Sequence, residues 1–340
     1  MKLQKIEWDR SSLLRSLSWF IVIALGIYCG LILIGDVGKI KELLNNFPLA
    51  LLPFLIVLSL ASYVCRFARW QLFLYRLGHP IPVIDSMFLY FSGFALTTTP
   101  GKSGEMIRSL FLKQWGVPYS QSIAAFISER LLDVFVILIL SLMAVLSLLH
   151  NSLWIITVFI GLVVALLLLP TNWIYKFLVR YTPIQVRDHI LNIHIFISKL
   201  VSRRKAIIPI MLGMVSWILQ GSSFYLLLDG LGSAQDYFIA VGIYSLSILI
   251  GAISFIAGGI GVTESAMVLL LLMIGVDSAT AVIAALGSRI LTLWLAIFLG
   301  ILSMLRLGVV INQVPGKNAT VVDSMDSGDN SNSGQMKSRK

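Results

Sequence analysis

The chain is organised around one stretch, which reads Gly93-Phe94-Ala95-Leu96-Thr97-Thr98-Thr99-Pro100-Gly101-Lys102-Ser103-Gly104-Glu105-Met106-Ile107-Arg108. It holds one proline, three glycines, three consecutive threonines and, within seven residues, three charged side chains. Proline lacks a backbone N–H and glycine weakens a helix, so this composition predicts a break in the backbone of an otherwise helical segment. The sequence on either side is strongly apolar, so the break is expected to lie inside protein or beside a water-filled cavity.

The composition of the whole chain is that of a membrane protein. Only 12% of the 340 residues are charged, 58% are hydrophobic, and the mean hydropathy is +0.91. Soluble domains carry about 25% charged residues, so the chain is predicted to be an all-α polytopic membrane protein. The net charge of +10 is typical of cytoplasmic loops near anionic lipid heads, and no basic module for nucleic acid is visible. The histidines and cysteines are scattered, so we expect no metal and no cofactor.

The apolar runs divide the chain into one bundle with polar ends. Residues 1–15 are predicted to be a cytoplasmic N-terminal segment, residues 16–311 the transmembrane domain, and residues 312–340 a disordered cytoplasmic tail. The basic amphipathic segment 171–205 is expected to lie on the membrane surface. Full spans are predicted at 16–35, 48–75, 120–149, 153–170, 206–228 and 278–305.

Two stretches of the chain, near residues 93–133 and 251–292, resemble each other. Three pairs share an offset of 159 residues: Glu105 with Glu264, Gly116 with Gly275, and Arg130 with Arg289. Chance matches of apolar residues are common in such a sequence, but charged residues in register with glycines indicate an internal repeat.

Loop charges predict how the repeats lie in the membrane, because Lys- and Arg-rich segments stay cytoplasmic. Both chain termini and both ends of 76–119 are then cytoplasmic, and both ends of 229–277 are external. Each of these two stretches must therefore enter and return, which gives six full spans and two re-entrant helical hairpins, about eight hydrophobic segments. The repeats are inverted, an arrangement typical of transporters. The hairpin backbone is expected at Thr99, Pro100, Gly101, Gly104, Gly258, Gly259 and Gly261.

Charged side chains inside the apolar runs should face inward and pair, because each costs at least about 2.5–3.5 kcal/mol when it faces lipid. The expected pairs are Glu105 with Arg130 or Arg108, and Glu264 with Arg289. These pairs either fix the hairpins to neighbouring spans or also offer cations to an anionic head group, for which arginine is suited. The head-group candidates are Arg69, Lys102, Arg108, Arg130 and Arg289, and the structural or coupling charges are Glu105, Glu129, Asp133 and Glu264.

Two further arginines end the second span. Arg66 and Arg69 either anchor this end at the membrane interface together with Trp70, or turn inward toward a lipid phosphate. The sequence leaves both interpretations open.

Several motifs together resemble the lysylphosphatidylglycerol synthase transmembrane, or flippase-like, family. They are Arg69-Trp70, Pro100-Gly101-Lys102-Ser103-Gly104-Glu105 with Arg108, Glu129-Arg130 with Asp133, and Gly258-Gly259-Ile260-Gly261-Val262 with Glu264 and Arg289. The resemblance covers roughly residues 15–306. It implies a lipid-flipping domain of bacterial or archaeal inner membranes that moves aminoacylated phospholipid or lipid-linked sugar. Fused members carry a soluble aminoacyl-transfer domain, which we do not expect in the short tail that follows the last span here.

The expected function is therefore translocation of an anionic or zwitterionic phospholipid, or of a lipid-linked glycan, between leaflets of the cell inner membrane. The alternative is an integral-membrane lipid-head-group enzyme or a non-transporting scaffold. No enzymatic activity is expected, because no catalytic or nucleotide-binding motif is visible. The expected partners are the lipid substrate and the bilayer, and a lipid-modifying enzyme or glycosyltransferase is a candidate partner.

Overall fold

The structure is a computed structural model that describes residues 22, 24–33, 35–97, 105, 108–148, 157, 161, 180, 184–202 and 204–313. Side chains are described at these positions except 184–186, 188–189 and 308–313. Every regular element in the described part of the chain is helical, which confirms the all-α class.

The α-helices are numbered in chain order. They are α1 (Ala24–Leu33), α2 (Val37–Asn46), α3 (Leu52–Leu77), α4 (Val83–Ser92), α5 (Arg108–Gln114), α6 (Tyr119–Leu148), α7 (Ile184–Leu200), α8 (Ile207–Gly230), α9 (Tyr237–Ile253), α10 (Val262–Met273), α11 (Ser278–Arg289) and α12 (Leu295–Gln313). A short 3-10 turn, Leu49–Leu51, precedes α3. Two others lie within the repeats: Gly93–Leu96 follows α4, and Ala257–Gly259 lies between α9 and α10. A π-helical segment, Ile290–Trp294, joins α11 to α12.

Four helical segments among the described residues are long and apolar enough to cross a membrane, so the chain is a multi-pass membrane protein. They are Leu49–Leu77, Tyr119–Leu148, Ile207–Gly230 and Ser278–Leu307. They coincide with the spans predicted at 48–75, 120–149, 206–228 and 278–305. The first predicted span is described only as α1, and the predicted span 153–170 lies almost wholly outside the described residues. The count of six full spans therefore stays a prediction, as does the placement of segment 171–205, which is described mainly as α7.

Helix pairs from the two halves of the chain build the core. Helix α6 packs along α9, α3 packs along α8, and α4 packs against α12. Two of these contacts depend on glycine. A Cβ atom at Gly242 would lie 2.5 Å from the backbone N of Ala144, and one at Gly300 would overlap the backbone N of Ala95 in the turn after α4. Small residues at such positions let membrane helices approach closely, which gains packing energy that lipid cannot supply.

The repeat is visible as two identical turns. Gly116 follows α5 with φ of 78°, and Gly275 follows α10 with φ of 84°, a backbone region that glycine enters without strain. In each turn the N–H of the next residue, Val117 or Val276, donates to a carbonyl five residues earlier at 3.1 Å. The next helices begin at Tyr119 and Ser278, again 159 residues apart. The offset found in the sequence is therefore an offset between equivalent structural units.

Both repeats contain a pair of helices, and the first helix of each pair leads into a short 3-10 turn. Helix α4 and the 3-10 turn after it are followed by α5, and α9 with its 3-10 turn is followed by α10. The two members of each pair are in contact, as expected for segments that turn back on themselves. Their re-entrant insertion from opposite membrane faces stays a prediction.

Candidate functional site: a charged cavity in the bundle

Described residues of both stretches line a cavity of about 290 Å³ inside the bundle. The first repeat contributes Thr97 and Glu105 to its wall, and the second contributes Gly258, Gly259 and Thr263. Polar backbone inside an apolar bundle is tolerated where it lines such a cavity. The cavity therefore accounts for the 3-10 turns Gly93–Leu96 and Ala257–Gly259, at which both stretches depart from the α-helix.

Three arginines and two carboxylates line the cavity. The arginines are Arg66 on α3, Arg130 on α6 and Arg289 at the end of α11, and the carboxylates are Glu105 and Asp133. All except Arg130 are buried by at least nine-tenths of their surface. The remaining wall is mainly apolar and aromatic. This arrangement favours an occupant that is anionic at one end and compatible with hydrocarbon elsewhere.

Arg66 is held by three residues of α8. Its Nε donates to Ser216 Oγ at 2.8 Å, and its Nη2 donates to Gln220 Oε1 at 3.1 Å. Its guanidinium lies 4.1 Å from the centre of the Trp217 ring, within the range of a cation–π interaction. Tyr244 OH also donates to Gln220 Oε1, at 3.0 Å, so the amide that receives Arg66 is itself fixed. Neutral groups thus orient this cation.

Arg130 is shared between two carboxylates of the first repeat. Its Nη2 lies 3.6 Å from Glu105 Oε2 and 3.3 Å from Asp133 Oδ2. Glu105 also accepts a hydrogen bond from the Thr97 hydroxyl at 2.9 Å. The Arg130 side chain is 23% exposed, which makes it the most accessible of the three arginines in the cavity wall.

Arg289 and Glu264 form the equivalent pair of the second repeat, with a different environment. Arg289 Nε donates to Glu264 Oε1 at 2.8 Å, and Arg289 Nη2 donates to the carbonyl of Gly258 at 2.5 Å. Glu264 also accepts from the N–H of Gly261 at 2.7 Å and from Tyr28 OH at 3.1 Å. Glu264 is fully buried behind the cavity wall, whereas Arg289 lines the cavity. This pair clamps the glycine turn to α11.

Arg69 and Arg108 are buried in ion pairs outside the cavity wall. Arg69 Nη2 lies 2.8 Å from Asp133 Oδ1, and Arg108 Nη2 lies 2.5 Å from Glu129 Oε2. The Arg108 guanidinium also lies 4.2 Å from the centre of the Trp70 ring. Both arginines face inward, but Arg69 pairs with a protein carboxylate, so its contact with a lipid phosphate stays a prediction. They contact protein groups at these positions and not the cavity space.

The Arg108–Glu129 pair has a neutral counterpart in the second repeat. Met267 and Ser288 occupy the positions 159 residues further along, and the Ser288 hydroxyl donates to Met267 Sδ at 3.4 Å. All four side chains are buried. The same packing site is therefore filled by an ion pair in one half of the bundle and by an uncharged pair in the other.

The expected pairs agree with the structure, in which Glu105 lies beside Arg130 and Glu264 beside Arg289. The expected hairpin glycines Gly258, Gly259 and Gly261 all have positive φ, at 62°, 67° and 85°. Lys102, Thr99, Pro100, Gly101 and Gly104 lie outside the described residues. No three metal-ligating side chains gather within the described part of the chain.

Sequence reasoning missed the neutral part of the cavity wall. Trp217 and Gln220 on α8, and Tyr63 and Tyr244 on facing helices, line the cavity together with the arginines. A signal for them exists, because Ser216, Trp217 and Gln220 place polar atoms on one helical face of a largely apolar span. Polar residues within spans mark helix contacts or cavities.

Comparison with known proteins places this architecture in a family. The chain matches the family described as lysylphosphatidylglycerol synthase TM region over residues 21–300. It is 24% identical to the UPF0104 membrane protein PH1989 of Pyrococcus horikoshii over 84% of this chain and 96% of that protein. It is 23% identical to the UPF0104 membrane protein MJ1595 of Methanocaldococcus jannaschii over 93% of this chain and 100% of that protein. It is 28% identical to the inner membrane protein YbhN of Escherichia coli over 33% of this chain and 35% of that protein. The chain therefore belongs to the lysylphosphatidylglycerol synthase TM region family.

Proposed function

We propose that this protein moves an anionic or zwitterionic phospholipid, or a lipid-linked glycan, between the two leaflets by passing the head group through the central cavity. The main support for the proposal is that three arginines, Arg66, Arg130 and Arg289, line one cavity inside an apolar multi-pass bundle. Guanidinium groups donate paired hydrogen bonds to phosphate, and their attraction is strong where water is scarce. A lipid phosphate would offset the cost of these buried charges.

The dimensions of the cavity suit a head group better than a whole lipid. Its volume of about 290 Å³ is close to the lower limit of ordinary ligand cavities, roughly 300–1,000 Å³. Acyl chains would then remain outside, against the apolar surface of the bundle. Apolar side chains at the cavity margin support this arrangement, since the lining residues Phe255 and Ile256 are 73% and 48% exposed.

The repeat supports transport and not simple lipid binding. In many transporters, two related halves contribute broken helices to a shared site, and alternating access follows from movement of one half against the other. Here Glu105 with Arg130, and Glu264 with Arg289, are contributed by equivalent positions of the two repeats. The proposal makes the protein a carrier without catalytic residues, and a lipid-modifying enzyme is a candidate partner that supplies its substrate.

The family name and the membrane bundle support a lipid-related role, and the test must measure movement directly. Lipids that co-purify with the full chain are first identified by native mass spectrometry. Fluorescent analogues of these lipids are then placed in liposomes with the purified protein, and the fraction accessible to an external quencher is followed over time. The proposal predicts movement of at least one co-purifying lipid above that of protein-free liposomes. Folded, correctly inserted protein that moves none of them would refute it.

The proposed location is the cell inner membrane, with both chain termini in the cytoplasm. This orientation rests on the Lys and Arg content of the loops, by the positive-inside rule. Single cysteines at Ser120 and Ser233, in a background from which Cys29 and Cys65 have been removed, test it with a membrane-impermeant thiol reagent. Labelling of Ser233 from outside and of Ser120 only from the cytoplasm is expected. Labelling at Ser120 from outside would contradict the predicted re-entrant hairpin in the first repeat, and with it the predicted inversion of the repeats.

A further inference from the structure

We infer that Arg66 is the residue that binds the substrate phosphate, and that the cavity selects a phosphodiester head group with one net negative charge. This inference rests on the proposed function and narrows its substrate class. Arg69, Arg108, Arg130 and Arg289 each lie beside a carboxylate, whereas no carboxylate among the described residues lies within ion-pair distance of Arg66.

Arg66 has the geometry of a prepared anion site. Only 7% of its surface is exposed, it lines the cavity, and its Nη1 donates to none of the described residues. The contacts with Ser216, Trp217 and Gln220 hold the guanidinium plane in place without neutralising it. A binding group that is already oriented loses little entropy when its ligand arrives. A buried cation without an ion-pair partner is costly, and an anion that binds to it lowers that cost.

The interior charges of the described residues favour a ligand with one net negative charge. Among the described residues the interior contains five arginines and four carboxylates, namely Arg66, Arg69, Arg108, Arg130, Arg289, Glu105, Glu129, Asp133 and Glu264. One singly charged phosphodiester makes this set neutral. A phosphomonoester, which approaches two negative charges near neutral pH, would leave an excess negative charge in a medium of low dielectric.

Zwitterionic head groups are less suitable for the same reason. Their phosphate could bind Arg66, but their ammonium group would need a carboxylate of its own. The two carboxylates in the cavity wall, Glu105 and Asp133, already lie beside Arg130, and Asp133 is also paired with Arg69. The structure thus favours an anionic lipid over a zwitterionic one.

Binding of defined lipids to the full chain tests the inference without requiring transport. The purified protein is incubated with equal amounts of phosphatidylglycerol, phosphatidylethanolamine and phosphatidic acid, and retained lipid is counted by native mass spectrometry. Wild-type protein should retain phosphatidylglycerol in preference to both others. Arg66→Gln should lower its retention about tenfold or more, the loss expected for a hydrogen bond to a charged group.

Arg306→Gln is the matched control, because it removes the same charge from an exposed position that contacts Phe88 on the outside of the bundle. It should retain phosphatidylglycerol as the wild type does. Thermal unfolding establishes that the variants are folded. If Arg66→Gln does not fold, Arg66→Lys takes its place, since it keeps the charge but loses the planar fork, and a several-fold loss is expected.

Specific outcomes would overturn the inference. Folded Arg66→Gln, or folded Arg66→Lys in its place, that retains phosphatidylglycerol like the wild type would remove the role of Arg66. Equal retention of phosphatidic acid by the wild type would remove the selection for one negative charge. Displacement of the lipid by an equal concentration of inorganic phosphate would assign the site to a free anion. The liposome assay distinguishes this inference from the proposed function. If lipid binds in a way that depends on Arg66 but does not move between leaflets, the proposed function is refuted and the binding site at Arg66 is retained.

Discussion

Replacing Glu264 with glutamine is the sharpest test of the clamp that the second repeat forms behind the cavity. The substitution keeps the size of the side chain but removes its charge. Glu264 is fully buried and accepts hydrogen bonds from Arg289, from the N–H of Gly261 and from Tyr28. Glu264→Gln therefore leaves the Arg289 guanidinium buried without a carboxylate, and it puts an amide N–H₂ where only donors now point.

The expected loss of stability is large. Removing one partner of a buried ion pair costs about 3–5 kcal/mol, and a folded domain is stable by only about 5–15 kcal/mol. Glu264→Gln should therefore lower the thermal midpoint in detergent strongly or prevent recovery of folded protein. The double variant Glu264→Gln with Arg289→Gln leaves no unpaired charge at this site and should regain much of the loss.

Thermal unfolding of the purified variants in one detergent measures these effects. Glu42→Gln, the same change at an exposed position of α2, is the control and should shift the stability by no more than about 0.5 kcal/mol. A Glu264→Gln protein as stable as this control would refute the clamp. The double variant can also be tested for lipid movement, because Arg289 lines the cavity. If the double variant is folded and moves lipid normally, Arg289 has no role at the head group and the pair is only structural.

Three further predictions concern packing and capping. Arg108→Met alone should destabilise the protein by about 3–5 kcal/mol, because Glu129 is left buried without its partner. The double variant Arg108→Met with Glu129→Ser copies the neutral pair of the second repeat and should recover most of that stability in the same unfolding assay. Gly300→Ala should lower the free energy of unfolding by about 1–3 kcal/mol through overpacking against the turn after α4. Gly26→Ala is the control and should not destabilise the protein, because no atom lies within 4 Å of its new Cβ. Equal thermal midpoints for the two variants would contradict the close approach at Gly300. Burial by itself raises the pKa of Asp277, but hydrogen bonds from the Thr280 hydroxyl and from two backbone N–H groups lower it below its usual value. Because the pKa of Asp277 is lower in the folded state, its ionised carboxylate stabilises the folded protein above the unfolded pKa of about 3.9, and this stabilisation is lost as the pH falls through the folded pKa. Asp277→Asn should therefore make unfolding less sensitive to acid. An unchanged dependence of the thermal midpoint on pH would contradict this.

The all-α class, four of the six predicted spans and the repeat could be predicted from the sequence. Each depends on a local property. A long apolar run has to satisfy its backbone hydrogen bonds internally in lipid and therefore forms a helix. The glycines at Gly116 and Gly275 mark turns because only glycine adopts their backbone angles without strain. The equal spacing of the charges around them then predicted that Glu264 lies beside Arg289, since both repeats fold into the same local unit.

The role of each interior arginine was decided only by the tertiary structure. Arg66 and Arg69 are three residues apart and lie on nearly the same face of α3, so the sequence gives no reason to separate them. Packing separates them, because α6 brings Asp133 to Arg69, whereas α8 brings the neutral Ser216, Trp217 and Gln220 to Arg66. Which carboxylate reaches which cation depends on the crossing of helices far apart in the chain. Local propensity and spacing determine the helices, and only their packing determines which arginine of the cavity wall has no carboxylate within ion-pair distance among the described residues.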